Sequence, residues 1–404
     1  MTDNTARASR YQEVAKDVET WDKQRAADIC ARAGAMLDPA NPAQRALAEA
    51  AYTRAGTVYH AISVTAAKDQ KREFEAEMRL KAAACFAQVA QPAEEWQRDA
   101  RDKNAGRAAL IYRNLALAAA TDGDKPAEAT FWLKAAECAR QIKVVLADWQ
   151  QSILTDGPRK AGSIYQQLAV DAATAGDKRA EADALLKTVA AFNLSPLALS
   201  SWQEQTRLNG AARAGTLYRE LSLEAEAQGN KEEAAELRLA AAQCFRDTTQ
   251  ALKKWQEDAR DRFPVWAGAF YAERAAEAKS AGDKRGEAEL RLKSMECFNL
   301  TTSTLAPWQQ DLAAKAPMRA ATLYRELALE AEATGRKKDE ADFRLKAAAA
   351  YRRATGPLAA WQEDIRDRDP ARAAALYRAL AFEAASDGNK VAETEFRLIA
   401  ADCL

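Results

Sequence analysis

The side chains best equipped for chemistry are few, and nearly all of them belong to a series. His60 is the single histidine among 404 residues, and the thiols are Cys30, Cys85, Cys138, Cys244, Cys297 and Cys403. Carboxylates recur at Asp99, Asp258, Asp311 and Asp364, each three residues after a tryptophan. Two carboxylates in unlike environments could act as general acid and base, a cysteine beside a histidine as an activated nucleophile, and a cysteine cluster as a zinc site. The spacing argues against all three. Every cysteine except Cys30 lies on one 53-residue grid, whose remaining points are Ala191 and Ala350, so the position reads as a small apolar core site. No CxxC pair accompanies it. An array of carboxylates offers one environment repeatedly, not two tuned apart, and reads as pairing with arginines or helix capping. His60 occupies a position filled elsewhere by Arg113, Gln166, Arg219, Ala272, Arg325 and Arg378, and is therefore expected on the surface. No phosphate loop or dinucleotide fingerprint is present. The expectation is no catalytic, cofactor-binding or metal-binding residue, and no enzyme activity.

The elements that would carry these residues announce themselves by repetition. Tyr59, Tyr112, Tyr165, Tyr218, Tyr271, Tyr324 and Tyr377 are 53 residues apart, and so are Trp96, Trp149, Trp202, Trp255, Trp308 and Trp361. A glycine recurs from Gly123 to Gly388, and an arginine from Arg54 to Arg372, with Lys160 and Trp266 as exceptions. In one copy, Ala320, Leu323, Tyr324, Leu327, Ala328 and Ala331 form the stripe of an amphipathic helix, opened by Pro317 and closed by Gly335. Ala341, Leu345, Ala348 and Tyr351 give a second helix. Leu358, Trp361 and Ile365 give a third after Gly356 and Pro357, with Asp369 and Pro370 read as the cap and first turn of the next copy. No segment alternates with period two. The expected architecture is all-α: a right-handed α-solenoid of about seven to eight 53-residue three-helix repeats, stacked because one layer cannot bury its own apolar faces. The tryptophan column is read as core.

Composition limits the partners. The 59 basic and 59 acidic residues balance, which offers no field for nucleic acid or an anionic membrane. No apolar run is long enough to span a bilayer, and the polar start from Met1 to Arg10 lacks a signal peptide's apolar core, so the expected location is cytoplasmic.

The stretch around Tyr324, the turn Gly282, Asp283, Lys284, the pair Glu287, Ala288 and the later Lys293 resemble a tetratricopeptide-like hairpin, although that family uses shorter, two-helix units. Leu345, Lys346, Ala347 and Ala348 are similar to the helical layers of attachment proteins in vesicle fusion. Both resemblances cover the first two helices of each copy and imply protein binding by a superhelical surface, without naming a partner.

Residues 1–9 read as a polar tail, 10–52 as a shortened first repeat, and 53–404 as seven tandem repeats, the last ending after its second helix. Tyr11 and Leu404 fall on the column of Tyr351, so the two ends share a phase and could meet in a closed ring or a head-to-tail oligomer. Binding specificity is expected where copies differ. The variable connections place Lys143, Val145, Ser195, Thr248, Thr249, Thr301 and Thr302 on one rim, and Trp132 and Trp266 stand outside the tryptophan column. The leading reading is a non-enzymatic scaffold for a protein or peptide partner. A self-assembling structural protein is the alternative, and a helical-toroid enzyme a distant third.

Overall fold

The computed structural model describes residues 4–142 and 145–403. Lys143 and Leu404, named above, lie outside the described residues. Sixteen α-helices and no strand occur among the described residues, in two compact units that divide within α9. The first unit holds α1 (Asn4–Val18), α2 (Lys23–Ala35), α3 (Pro42–Lys68), α4 (Arg72–Ala87), α5 (Glu95–Asp122), α6 (Lys125–Arg140), α7 (Asp148–Ala175), α8 (Lys178–Asn193) and the start of α9 (Ser201–Ala227). The second continues through α10 (Lys231–Arg246), α11 (Lys254–Ser280), α12 (Lys284–Asn299), α13 (Pro307–Ala333), α14 (Lys337–Arg352), α15 (Ala360–Ser386) and α16 (Lys390–Asp402). In each unit a helix packs on the one before and the one after, the all-α solenoid pattern of tandem helix pairs. Helix α1 already begins inside the stretch read as a tail.

The repeat has two helices, not three, which corrects the sequence reading. The tryptophan-bearing helix runs unbroken into the tyrosine-bearing helix, giving long helices of 27 or 28 residues that alternate with short ones of 16. Pro158, Pro264, Pro317 and Pro370 sit inside these long helices. An interior proline forfeits one backbone bond and costs about 3 kcal/mol, but both flanking segments bury side chains against the same short helices. Ala105 and Ala211 stand at the same position in other copies, where nothing interrupts the helix. Asp369 is accordingly not a cap. Its buried carboxylate accepts from Arg372 at 2.8 Å and Arg344 at 3.4 Å.

The grid columns have separate duties. Gln97, Gln150, Gln203, Gln256, Gln309 and Gln362 each fold back so that the amide oxygen accepts the backbone N–H three residues earlier, at 2.8 to 3.2 Å, fastening the start of every long helix. Gly123, Gly176, Gly229, Gly282, Gly335 and Gly388 take φ of +69° to +80° at the turn to the short helix. Asp124, Asp177 and Asp283 then cap that helix. The tyrosines are the seals between copies. Tyr59, Tyr112, Tyr271 and Tyr324 are buried with a lysine of the following short helix over each ring, Lys293 at 4.3 Å from Tyr271 and Lys346 at 5.4 Å from Tyr324, while the buried Tyr377 meets Phe396 instead. An acid from the preceding copy reaches the phenol of Tyr59 (Asp28, 2.5 Å) and of Tyr377 (Asp342).

Close packing fixes a second pair of columns. Gly56, Gly162, Gly215 and Gly268 face Phe86, Phe192, Phe245 and Phe298, whereas Ala109 shares its core cluster with the small Ala139. A methyl on Gly268 would stand 2.6 Å from the Phe298 ring. Buried acids add a third tie. Glu287, 2% exposed, accepts from Arg291 of its own helix at 2.8 Å and from Arg319 of α13 at 3.1 Å. Burial alone would raise the pKa of Glu287, but the hydrogen bonds and charges of Arg319 and Arg291 outweigh it and hold the carboxyl below its ordinary value.

Gly268→Ala is expected to destabilise the protein by about 1–3 kcal/mol in chemical unfolding, through overpacking against Phe298; a gain, from the better helix propensity of alanine, would contradict this packing. Glu287→Gln is expected to cost about 1–3 kcal/mol, because the partly exposed guanidinium groups of Arg291 and Arg319 lose the buried charge they bond. Since the folded pKa of Glu287 is depressed, its contribution is present above the unfolded value of about 4.3 and is lost as pH falls through the folded value. Unfolding midpoints measured between pH 7 and pH 3 should therefore converge for wild type and Glu287→Gln.

Candidate interaction surface

The same geometry that buries the tyrosines leaves other columns facing outward. One turn beyond each tyrosine segment, Val64, Leu117 and Val170 in the first unit and Leu223, Leu329 and Phe382 in the second are exposed, Phe382 to 76%. Ala276 holds that position on α11. Isolated exposed leucines are ordinary, but a column of them on successive long helices is not scattered surface. This column went unread in the sequence, although its signal was there: an apolar residue adjacent to the buried stripe in nearly every copy.

The tryptophan column is also on the surface, which corrects its reading as core. Four of the indoles meet another ring edge to face, Trp202 with Phe192, Trp255 with Phe245, Trp308 with Phe298 and Trp361 with Tyr351, with ring centres 5.8 to 6.3 Å apart. The long helix begins just before the tryptophan, which places the indole in its first turn, at the edge of the packed layer. Trp308 is 51% exposed and Trp255 38%. Arginines cover two of the faces, with Arg219 5.1 Å from the centre of Trp255 and Arg325 4.8 Å from that of Trp361. The apolar column and the tryptophans adjoin: Leu329, Arg325, Trp361 and Asp364 line one cavity of about 180 Å³.

His60 belongs to the arginine position of that set and is not the exposed residue expected. Its ring lies 5.0 Å from Trp96, and Nδ1 is buried without a hydrogen-bond partner. Burial, then Arg79 and Arg107, lower its pKa, so it is neutral at pH 7 and packs as an aromatic spacer. The remaining chemistry-capable groups are similarly occupied. Burial pushes the thiols of Cys85 and Cys138 up to about 12, leaving them protonated. Asp99 bonds Lys103 and Arg107, Asp311 bonds Lys315, and Asp364 bonds Arg368 and Arg372.

Three copies depart from the glutamate–arginine tie; on α8 Leu185 replaces the intrahelical arginine, and Glu181 is held by Arg213 at 3.1 Å. Trp132 replaces an arginine on α6; it is buried, donates from Nε1 to Glu128 at 3.3 Å and lies 4.3 Å under Lys160. A shallow recess of about 870 Å³ opens beside it, bordered by Leu117, Lys160 and Gln203. In the second unit Ala234 replaces the glutamate and Trp266 the arginine. Trp266 is half exposed with Arg238 stacked 4.4 Å away, and the missing carboxylate side chain leaves a cavity of about 370 Å³ walled by Ala234, Trp266 and Phe270. Of the two off-column tryptophans, therefore, only Trp266 presents an open face.

The rim residues are more occupied than their variability suggested. Ser195 donates to the Leu197 carbonyl, Thr248 to that of Cys244, and Thr301 and Thr302 to the backbone and carboxylate of Asp261. Arg246 donates to the Leu300 carbonyl at 2.6 Å, stitching one connection to the previous copy. Val145 and Thr249 remain exposed. No helix among the described residues is long and apolar enough to cross a membrane, and no cluster of three or more metal-ligating side chains occurs there.

Comparison with other proteins adds little. No protein-family model matches the chain, and no curated protein does. Among solved structures, one similar chain is a circular tandem repeat protein with novel repeat topology and enhanced subunit contact surfaces, 12% identical over 97% of this chain and 88% of that one, with a TM-score of 0.24. Another is the TPR domain of P58(IPK), 17% identical over 92% of this chain and 98% of that one, with a TM-score of 0.22. The tetratricopeptide-like character of the repeat rests on its own helix pairs, and neither superposition is close enough to add to them.

Proposed function

We propose that this chain is a non-enzymatic interaction scaffold that holds a protein or peptide partner along its long helices. The observation that carries the reading is the exposed apolar column of Val64, Leu117, Val170, Leu223, Leu329 and Phe382, set beside half-exposed tryptophans. Those side chains contribute little to the packing of their own copy, and burying one leucine or phenylalanine on a partner is worth about 1.5–3 kcal/mol. The paired carboxylates, the neutral thiols and the packed imidazole support a binding role over a catalytic one. Buried reduced cysteines suit a cytoplasmic setting. The rim, at Val145 and Thr249, is a secondary contact in this reading, and so is the open face of Trp266.

The test compares capture of binding proteins from extract by the wild-type chain and by a variant carrying Leu117→Glu, Leu329→Glu and Phe382→Glu. All three positions are exposed, so the unfolding temperature should stay within a few degrees of wild type. Bound partner should fall at least about ten-fold. Undiminished capture by this variant, or loss produced instead by Val145→Glu with Thr249→Glu, would overturn the assignment of the long-helix face.

A further inference from the structure

Successive copies treat the outer face of their tryptophan differently. Over Trp255 and Trp361 the preceding long helix lays an arginine, Arg219 at 5.1 Å and Arg325 at 4.8 Å from the ring centre. The copy between them has Ala272 at that position on α11, and Trp308 is the most exposed member of its column at 51%. A second side chain is missing from the same place. Leu329, which walls the cavity at Trp361 together with Arg325, is matched on α11 by Ala276, one turn beyond Ala272. The carboxylate is kept: Asp364 lines the cavity at Trp361, and Asp311 holds the matching position three residues after Trp308, paired with the surface residue Lys315 at 2.7 Å.

We propose that the exposed indole of Trp308, with Ala272, Ala276 and Asp311 at the positions that hold Arg325, Leu329 and Asp364 around Trp361, is a receptor site for one arginine side chain of a partner polypeptide. The occupant follows from what fills the matching positions. A guanidinium group stands over an indole at two neighbouring copies, so the same surface with its own arginine removed is complementary to a guanidinium from outside. The quadrupole of the indole attracts a cation over its face, and Asp311 supplies a charge for the planar fork to engage. Two alanine methyls in place of an arginine and a leucine leave room for the aliphatic stem of the incoming residue. A neutral apolar side chain would cover the ring but leave Asp311 unused. This site deepens the scaffold reading by naming the side chain that one copy selects.

The experiment uses the full chain and two blocked hexapeptides of glycine and alanine, one with a central arginine and the other with citrulline there. The indole Nε1–H resonance of Trp308, assigned by its loss in Trp308→Phe, is followed during titration. The arginine peptide should shift it saturably, and the citrulline peptide should bind at least about five-fold more weakly. Ala272→Arg, which copies the residue of the adjacent repeats, should leave the unfolding temperature unchanged and weaken the arginine peptide at least about ten-fold. Equal shifts by both peptides, no saturable shift, or unaltered binding to Ala272→Arg would overturn the proposal. If Ala272→Arg retains full partner capture while the three-glutamate variant loses it, the arginine site falls and the scaffold reading stands.

Discussion

The structure depends on one constraint: a pair of helices this rich in alanine cannot enclose its own aromatic side chains, so each tyrosine is finished by residues from two copies. Tyr324 is buried beneath Lys346 of its own copy, with Glu289 of the preceding copy nearby and bonded to that same lysine at 3.0 Å. Tyr59 and Tyr377 reach acids of the preceding short helix directly. Because every such seal is shared, stability is distributed over interfaces between neighbours, and no single copy is a folding unit by itself. The glycine–phenylalanine columns sharpen the point. Phe298 reaches Gly268 so closely that the backbone of the long helix becomes part of the wall.

That packing uses only part of each long helix. The stripe containing the tyrosine turns inward, and the residue next to it, Leu329 or Leu117, is carried outward at the same pitch in every copy. The tryptophans mark where the buried stripe begins; five of the six in the column meet an aromatic ring of the preceding short helix, and Trp149 has Ala139 at that place. A repeated frame thus presents a repeated surface, and individuality comes from substitutions within it. Ala234 and Trp266 open a cavity where other copies hold an ion pair, Trp132 fills the corresponding place on α6, and Ala272 uncovers an indole that other copies shield. These changes leave the helices undisturbed because they remove or exchange side chains at the edge of the seal.

Much of this was legible in the residue spacing. The grid of cysteines, the glycines that end each long helix and the all-helical character follow from positions alone, since each reports a local need, whereas the bond by which each glutamine fastens a helix start appears only in the structure. The division of the repeat was not legible. Pro317 and Pro370 read as helix starts because proline suits a first turn, yet burial on both sides of them outweighs one lost hydrogen bond and the helix passes through. Asp369 looked like a cap for the same reason and serves instead to hold two arginines. The tryptophans were misplaced because a regular aromatic column usually means core, and only the packed helices show that one edge of each ring has no neighbour. His60 was misplaced in the opposite sense, since arginines at its column suggested solvent while two of them, Arg219 and Arg325, lie over indoles.

By itself, then, the sequence determined the period, the helical state and the columns that must be equivalent, because those follow from local propensity and from identity of residues at fixed spacing. The tertiary structure decided which column is sealed and which is left open, because exposure depends on the neighbouring copy, whose side chains arrive from 46 or 57 residues away, as when Lys284 reaches Glu330 and Lys346 reaches Glu289. A face becomes a surface only once the element that could have covered it has been placed somewhere else.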